Sequence, residues 1–287
     1  MNKVYLVGSS GYLGGKLRQH LQKDYSLCCL GRDTVCRLDL NLPQYFDYSM
    51  LDRDTVLFAA AISSPDLCAA DYGQAFQVNV EGTGSFIEEA IKRECRVLFF
   101  SSDAVYGFYD GIADENTVTT GQTAYGKMKK EIEDRFLGSP LFKSLRLSYV
   151  FSTEDKYTSY LLDCAEKGIT AEVYHPFYRS AISVADVIDT VRWLITHWWK
   201  FEHPFLNLCG SELVSRVRIA DTVKQQIAPG LLYQIIVPEG DFYKNRPAVL
   251  EMNSLYLDQI IDVQERFTQK VKKIIAMEER KQWLKKH

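Results

Sequence analysis

Lys3-Val4-Tyr5-Leu6-Val7-Gly8-Ser9-Ser10-Gly11-Tyr12-Leu13-Gly14 is the stretch that decides the fold. Lys3 to Val7 is a short apolar run with β-branched valines, which reads as a buried strand bounded by Gly8. Leu13, Leu17 and Leu21 then recur four apart, the spacing of one helix face. Gly8, Gly11 and Gly14 stand between that strand and that helix. A diphosphate must approach the backbone closely there, and a Cβ would block it. The helix N-terminus adds free N–H groups and the positive end of its dipole. Gly14 would let the helix sit close to the sheet. Glycine serves many turns. Its position here, opening a helix directly after a strand, points to a dinucleotide.

Further apolar runs follow at Leu27–Leu30, Thr55–Ala61, Arg96–Ser101 and Ser144–Phe151. Short strands buried on both faces and separated by helices predict a parallel sheet covered on each side. Right-handed crossovers favour a doubly wound α/β arrangement of the Rossmann type. Residues 1–150 are expected to form a dinucleotide-binding domain. Residues 151–287 are expected to form a smaller, mainly substrate-binding part, with about 176–208 returning to the first domain. Within that part the pattern predicts helices over 157–167, 184–199 and 214–226, with Ser215 available as a cap, and a strand over 205–208. Phe267, Val271, Ile274 and Ile275 make an apolar stripe beside several lysines, read as a surface helix packed on its own domain.

The 287 residues carry 34 basic and 37 acidic side chains, a net charge of −3, and 46% are apolar. That balance excludes a disordered chain and argues against a nucleic-acid binder. No run approaches a membrane span, and the apolar run after Lys3 is too short for a secretory signal, so a cytoplasmic protein is expected. Seven cysteines (Cys28, Cys29, Cys36, Cys68, Cys95, Cys164 and Cys209) include no C-x-x-C pair. They read as reduced core residues with no metal site.

Two further segments carry chemistry. The second strand ends Cys29-Leu30-Gly31-Arg32-Asp33. A preference for NAD usually places an acid at that end, but glycine stands there. Arg32 would instead pair with a 2′-phosphate, which favours NADP, although Asp33 is adjacent and NAD stays open. Tyr125 and Lys129 lie four apart, one turn along a helix face. A free tyrosine has a pKa of about 10. An adjacent ammonium is expected to lower it, so that the pair can exchange a proton with a carbinol oxygen. Ser101-Ser102-Asp103-Ala104-Val105-Tyr106-Gly107 follows the fourth strand, at the sheet edge where ligands of such folds bind. A serine hydroxyl there would hold the reacting oxygen.

Taken in order, these segments resemble the extended short-chain dehydrogenase/reductase family of NAD(P)-dependent sugar-nucleotide epimerases, dehydratases and reductases. The resemblance also covers Asp39-Leu40, Ala59-Ala60-Ala61, Asn79 to Thr83, Glu133, Arg179 to Asp186, Asn207 to Gly210 and Arg246-Pro247. It implies Ser102, Tyr125 and Lys129 as catalytic residues, with Lys129 also bound to the nicotinamide ribose. It implies backbone contacts from Tyr12 and Leu13 to the pyrophosphate, and adenine contacts from Asp39 and Leu40. The three alanines would line the cofactor channel. Asp103, Arg179 and Arg246 would meet the substrate, the two arginines at its diphosphate. Relatives that eliminate water carry an acid pair after the hydroxyl residue, and Ala104 breaks that pattern. The branch that epimerises and then reduces has a cysteine where Asp103 stands. Ser102-Asp103 is most similar to the dTDP-4-dehydrorhamnose reductase branch, although Ser102, Ala104 and the segment around Arg179 depart from it. The implied activity is reduction of a keto group on a nucleotide-linked deoxysugar with NAD(P)H. A 4-epimerase and a non-catalytic NADP sensor are the alternatives. The implied partners are a sugar nucleotide and, as is common in the family, a second copy of the chain in a homodimer.

Overall fold

Lys3–Val7, the first strand (β1), lies inside a seven-stranded sheet, flanked by β2 (Ser26–Gly31) and β4 (Thr55–Phe58). The computed structural model describes residues 3–262 and 264–286, with side chains as far as residue 276. Beyond β2 lies β3 (Cys36–Arg37). Beyond β4 come β5 (Arg96–Ser102), β7 (Phe142–Leu147) and β12 (Phe205–Leu208). Every pairing in this sheet is parallel. The chain runs outward from β1 in one direction to β3 and then in the other from β4 to β12. The strand order therefore reverses between β1 and β4, which opens a crevice at their carboxyl ends.

Side chains alternate along these strands and so fill two separate cores. Val4, Leu6, Leu57, Leu98 and Phe100 face α1 (Tyr12–Leu21) and α7 (Val184–Thr196). Tyr5, Val7, Val56, Phe58, Val97 and Phe99 face α4 (Thr83–Lys92) and α5 (Ala124–Phe136). The near-continuous apolar runs of the sequence follow from this two-sided burial. Between β4 and α4 the chain forms two short helices, α2 (Pro65–Ala70) and α3 (Tyr72–Phe76), and a π-helical turn over Gln77–Gly82.

The remaining strands build the second part. β13 (Leu213–Ser215), β10 (Tyr178–Ser180), β15 (Val249–Met252) and β6 (Ile112–Ala113) form a four-stranded sheet. β11 (Ile182–Ser183) pairs with β8 (Val150–Phe151), and β14 (Tyr233–Ile236) with β9 (Ala171–Tyr174). A third core joins α6 (Lys156–Lys167), α8 (Arg216–Gln226) and the start of α9 (Phe267–Lys286). Phe267, Val271 and Ile274 are buried in it and Ile275 packs against it, so the C-terminal stripe covers its own domain. Ser215 caps α8 by accepting from the Arg218 amide at 3.1 Å.

Some boundaries differ from the apolar runs. β4 stops at Phe58, and Ala59 to Ala61 continue as irregular backbone across the crevice. The run Ser144–Phe151 breaks at Ser148-Tyr149. Its second half turns away from the large sheet to pair with β11. Cys28, Cys29 and Cys36 are half-buried rather than core residues, while the other four cysteines are buried. All seven are free thiols. Among the described residues, no helix is long and apolar enough to cross a membrane.

Candidate active site

A cleft of about 310 Å³ opens at the β1/β4 crevice. Its walls include Gly8, Gly11, Arg32, Asp39, Leu40 and Ala59 to Ala61, so these expected cofactor residues meet in one place. Each glycine has a distinct physical position. Gly8 has φ +90°, and a Cβ on it would lie 2.6 Å from the Ala60 nitrogen. A Cβ on Gly14 would lie 2.1 Å from the Gly8 carbonyl oxygen, so Gly14 lets α1 seat against the strand end. A Cβ on Gly11 would meet only the Gly8 oxygen, at an ordinary 3.5 Å. No neighbour within the chain therefore requires glycine at 11. The open space above it fits close approach by a ligand backbone. Gly11 is also the N-cap of α1, with no side chain capping that terminus and no acid in its first turn. The positive end of its dipole therefore meets no acid of its own first turn. The cradle fits a dinucleotide diphosphate.

The adenosine end carries two further features. Asn41 donates from its amide and side chain to Asp39 Oδ1, both at 3.0 Å. These bonds hold the Asp39 carboxyl below the usual carboxylate range. Arg32 is exposed on the rim just after Gly31, and β2 supplies no acid at its end. Opposite, Asn79 accepts from the Ile62 amide at 2.8 Å and donates to the Ile62 carbonyl at 2.9 Å. It thereby pins the end of the alanine segment. A Cβ on Gly82 would lie 1.7 Å from the Leu40 oxygen, so the π-helical turn packs directly on the Asp39-Leu40 wall.

The second group gathers at the end of β5. Ser102 Oγ donates to Asp103 Oδ1 at 2.9 Å and accepts from the Ala104 amide at 3.2 Å. Helix α5 docks on this turn at Gly126, where a Cβ would lie 2.2 Å from the Ala104 oxygen. That contact sets Tyr125 beside the turn, within electrostatic range of Asp103. Tyr125 packs with Cys68, Met128, Ala61 and Ile62, and the last two also wall the cleft. Lys129 is buried and donates to the Phe100 carbonyl at 2.7 Å.

The electrostatics correct one expectation. Lys129 does not draw the Tyr125 phenol down. Burial pushes that phenol well above its usual value, and Cys68 and Asp103 add to the rise. Burial likewise pushes the Lys129 ammonium down to about 7, against the opposing pull of Glu133. Both groups are buried, and loss of hydration is the largest cause of each shift. Burial also raises the Asp103 carboxyl, opposed by the guanidinium of Arg179.

Arg179 makes three contacts at this end of the site. Its Nε lies 3.5 Å from Asp103 Oδ2, and its Nη atoms donate to the carbonyls of Tyr178 at 2.6 Å and Pro247 at 2.9 Å. Arg246 pairs with Asp66. Tyr12 donates its hydroxyl to Ser152 Oγ at 2.8 Å, tying α1 to the second part.

With this geometry in place, comparison with known proteins gives a family. The family model described as RmlD substrate binding domain matches residues 1–278. The chain belongs to this family. A dTDP-4-dehydrorhamnose reductase of Aggregatibacter actinomycetemcomitans is 29% identical over 160 residues, which cover 53% of this chain and 52% of that relative. The match thus spans about half the length of this curated relative. A dTDP-4-dehydrorhamnose reductase structure from Clostridium acetobutylicum superposes with a TM-score of 0.81 at 18% identity, covering 96% of this chain and 99% of that one. MoeE5 in complex with UDP-glucose and NAD superposes with a TM-score of 0.81 at 18% identity, over 97% of this chain and 99% of the other. These superpositions establish the shared fold.

In this RmlD-family chain, the tertiary contacts of three polar residues have no local signal in the sequence. Asn79 was legible only as part of a motif, and its bonds to Ile62 are a tertiary fact. Cys68 comes from a separate helix, and its Sγ donates to the Ile62 carbonyl at 3.1 Å. Arg216 follows the cap Ser215 and reads as an ordinary helix residue. In the fold it stacks between the rings of Tyr157 and Phe177, at 4.8 and 4.3 Å from their centroids.

Proposed function

We propose that the chain is an NAD(P)H-dependent reductase of a keto group on a nucleotide-linked deoxysugar. One observation carries the reading. Docking of α5 at Gly126 puts Tyr125 beside Ser102-Asp103 and against the Ala61-Ile62 wall of a cleft built for a dinucleotide. The backbone of Gly8 to Leu13 holds the diphosphate, and Asp39 and Leu40 flank the adenine. Arg32, exposed where an acid would select NAD, pairs with a 2′-phosphate and favours NADP. When bound, the nicotinamide supplies the hydride. Tyr125 donates the proton to the carbonyl oxygen. The phenol is protonated at neutral pH, as an ordinary tyrosine is, and that is the form a reduction requires. Ser102 holds the same oxygen once its single hydroxyl proton, given to Asp103 Oδ1 in the free site, turns to the substrate. Lys129 keeps its place through the Phe100 carbonyl and offers its remaining protons to the nicotinamide ribose. The similarity to a dTDP-4-dehydrorhamnose reductase and the absence of a proton acceptor at Ala104 support reduction over dehydration.

The test is the absorbance at 340 nm when NADPH or NADH is mixed with nucleotide-linked 4-keto sugars. The reading expects a loss equal to the sugar consumed, and a Tyr125→Phe variant slower by about 100-fold or more. A 4-epimerase would interconvert sugars with no net loss of absorbance, and that outcome would refute the reductase reading.

A further inference from the structure

β2 and β3, at one edge of the large sheet, set two sulfurs against each other. Their register matches Leu30 with Cys36, so Cys28 lies two residues back on the same face. Both cysteines pack on the core that holds Tyr5, Val7 and Leu30, whereas Cys29 packs on the opposite core. Cys28 Sγ donates to Cys36 Sγ at 3.1 Å. A disulfide needs about 2.05 Å, so the sulfurs must close by about 1 Å. β3 can supply that movement, since it is two residues long and, among the described residues, paired on one side only. Both thiols are free and half-buried, so a small reagent can reach them. The pair also sits beside the cleft. Leu30, Gly31 and Arg32 lie between the two cysteines, Leu38, Asp39 and Leu40 follow closely, and all six wall the cleft. The Leu38 amide donates to the Gly31 carbonyl at 3.0 Å, which joins the two stretches.

We propose that Cys28 and Cys36 are a modification site, at which a reversible intrachain disulfide forms by exchange with glutathione disulfide and ties the Leu38–Leu40 wall to β2. Burial, with the bond to Cys36, pushes the Cys28 thiol up to about 12, so the exchange opens at Cys36. A thiolate at Cys36 attacks one sulfur of glutathione disulfide, forms a mixed disulfide and releases one glutathione. Cys28 then attacks the Cys36 sulfur, forms the Cys28–Cys36 bond and passes its proton to the departing second glutathione. The two protein thiols lose two electrons and two protons, and one glutathione disulfide becomes two glutathione thiols.

The full chain, incubated with glutathione disulfide and then alkylated, tests this by intact mass, peptide mapping and amide hydrogen exchange. The expected result is a loss of about 2 Da, a peptide linking Cys28 to Cys36, and reversal by dithiothreitol. Cys29→Ser should form the same bond, and Cys36→Ser should form none at Cys28. The amides of residues 37–40 should exchange more slowly by about twofold or more in the oxidised chain, and Cys36→Ser treated alike should show no such change. An unreactive pair, a glutathione adduct that persists on Cys36, or a bond between any other two cysteines overturns the site. Exchange slowed by less than about twofold in the linked chain overturns the tie to the wall.

Discussion

Lys129 shows how a single residue is tuned. Its ammonium is buried under α5, bonded to the Phe100 carbonyl, and pushed down from the usual 10.5 to about 7. The folded chain therefore releases a proton that the unfolded chain keeps between about pH 7 and 10.5. Unfolding takes up protons in that window, so the Lys129 contribution to stability rises with pH across it. Urea unfolding at pH 6.5 and pH 9 checks this. The pH-dependent gain should be larger in wild type than in Lys129→Met, because the other titrating groups are common to both. Arg32 gives a second prediction at this scale. Arg32→Ala should raise the KM for NADPH by about tenfold and leave that for NADH nearly unchanged, measured by steady-state kinetics. Residue identities such as Tyr125, Lys129 and the three glycines were legible because their spacing is local. The direction of the Tyr125 shift was not, because it depends on how much water the folded pocket excludes. Arg216 was hidden for the same reason, since its partners Tyr157 and Phe177 come from distant segments.

At the scale of elements, the β1 to α1 connection separates structural glycine from functional glycine. A Cβ on Gly14 would collide with the Gly8 oxygen at 2.1 Å, whereas one on Gly11 would rest at 3.5 Å. Gly14→Ala should therefore lower the thermal midpoint. Gly11→Ala should fold normally yet lose about tenfold or more in NADPH affinity, seen by fluorescence titration. Equal cofactor affinity in Gly11→Ala and wild type would contradict the cradle. The strands themselves were legible as apolar runs because both faces of the sheet are covered. Their ends were less so. β4 stops at Phe58 although Ala59 to Ala61 are equally apolar: the Ala59 amide still donates to the Val7 carbonyl at 2.9 Å, and all three alanines line the cleft. The run Ser144–Phe151 is continuous in composition. It is cut by the need of Val150-Phe151 to pair with β11.

At the scale of the molecule, a buried polar network joins the parts. Arg146 on β7 grips Glu133 on α5, with Nη2 to Oε2 at 2.8 Å and Nε to Oε2 at 3.1 Å, and both side chains are almost fully buried. Arg146 Nη1 also donates to the Tyr106 hydroxyl at 3.0 Å. That hydroxyl donates to Asn207 Oδ1 at 2.8 Å, and Glu115 accepts from the Asn207 amide at 2.8 Å and from Ser254 Oγ at 2.6 Å. Five separate segments are thereby locked around α5. Removing one member leaves an uncompensated buried charge. Glu133→Ala should therefore destabilise the chain by about 3–5 kcal/mol, measured by chemical denaturation. Nothing local in the sequence announces this network, because its members are spread from Tyr106 to Ser254.

The central claim is that hydride moves within a site closed by Tyr125, Lys129 and Ser102. Its most direct measurement is to supply NADPH with both C4 hydrogens of the nicotinamide replaced by deuterium, with a nucleotide-linked 4-keto sugar, and to read the product by mass and NMR. The account predicts deuterium on the former keto carbon in wild type and almost no labelled product in Tyr125→Phe. An unlabelled product, or equal labelling by the Tyr125→Phe variant, would contradict it.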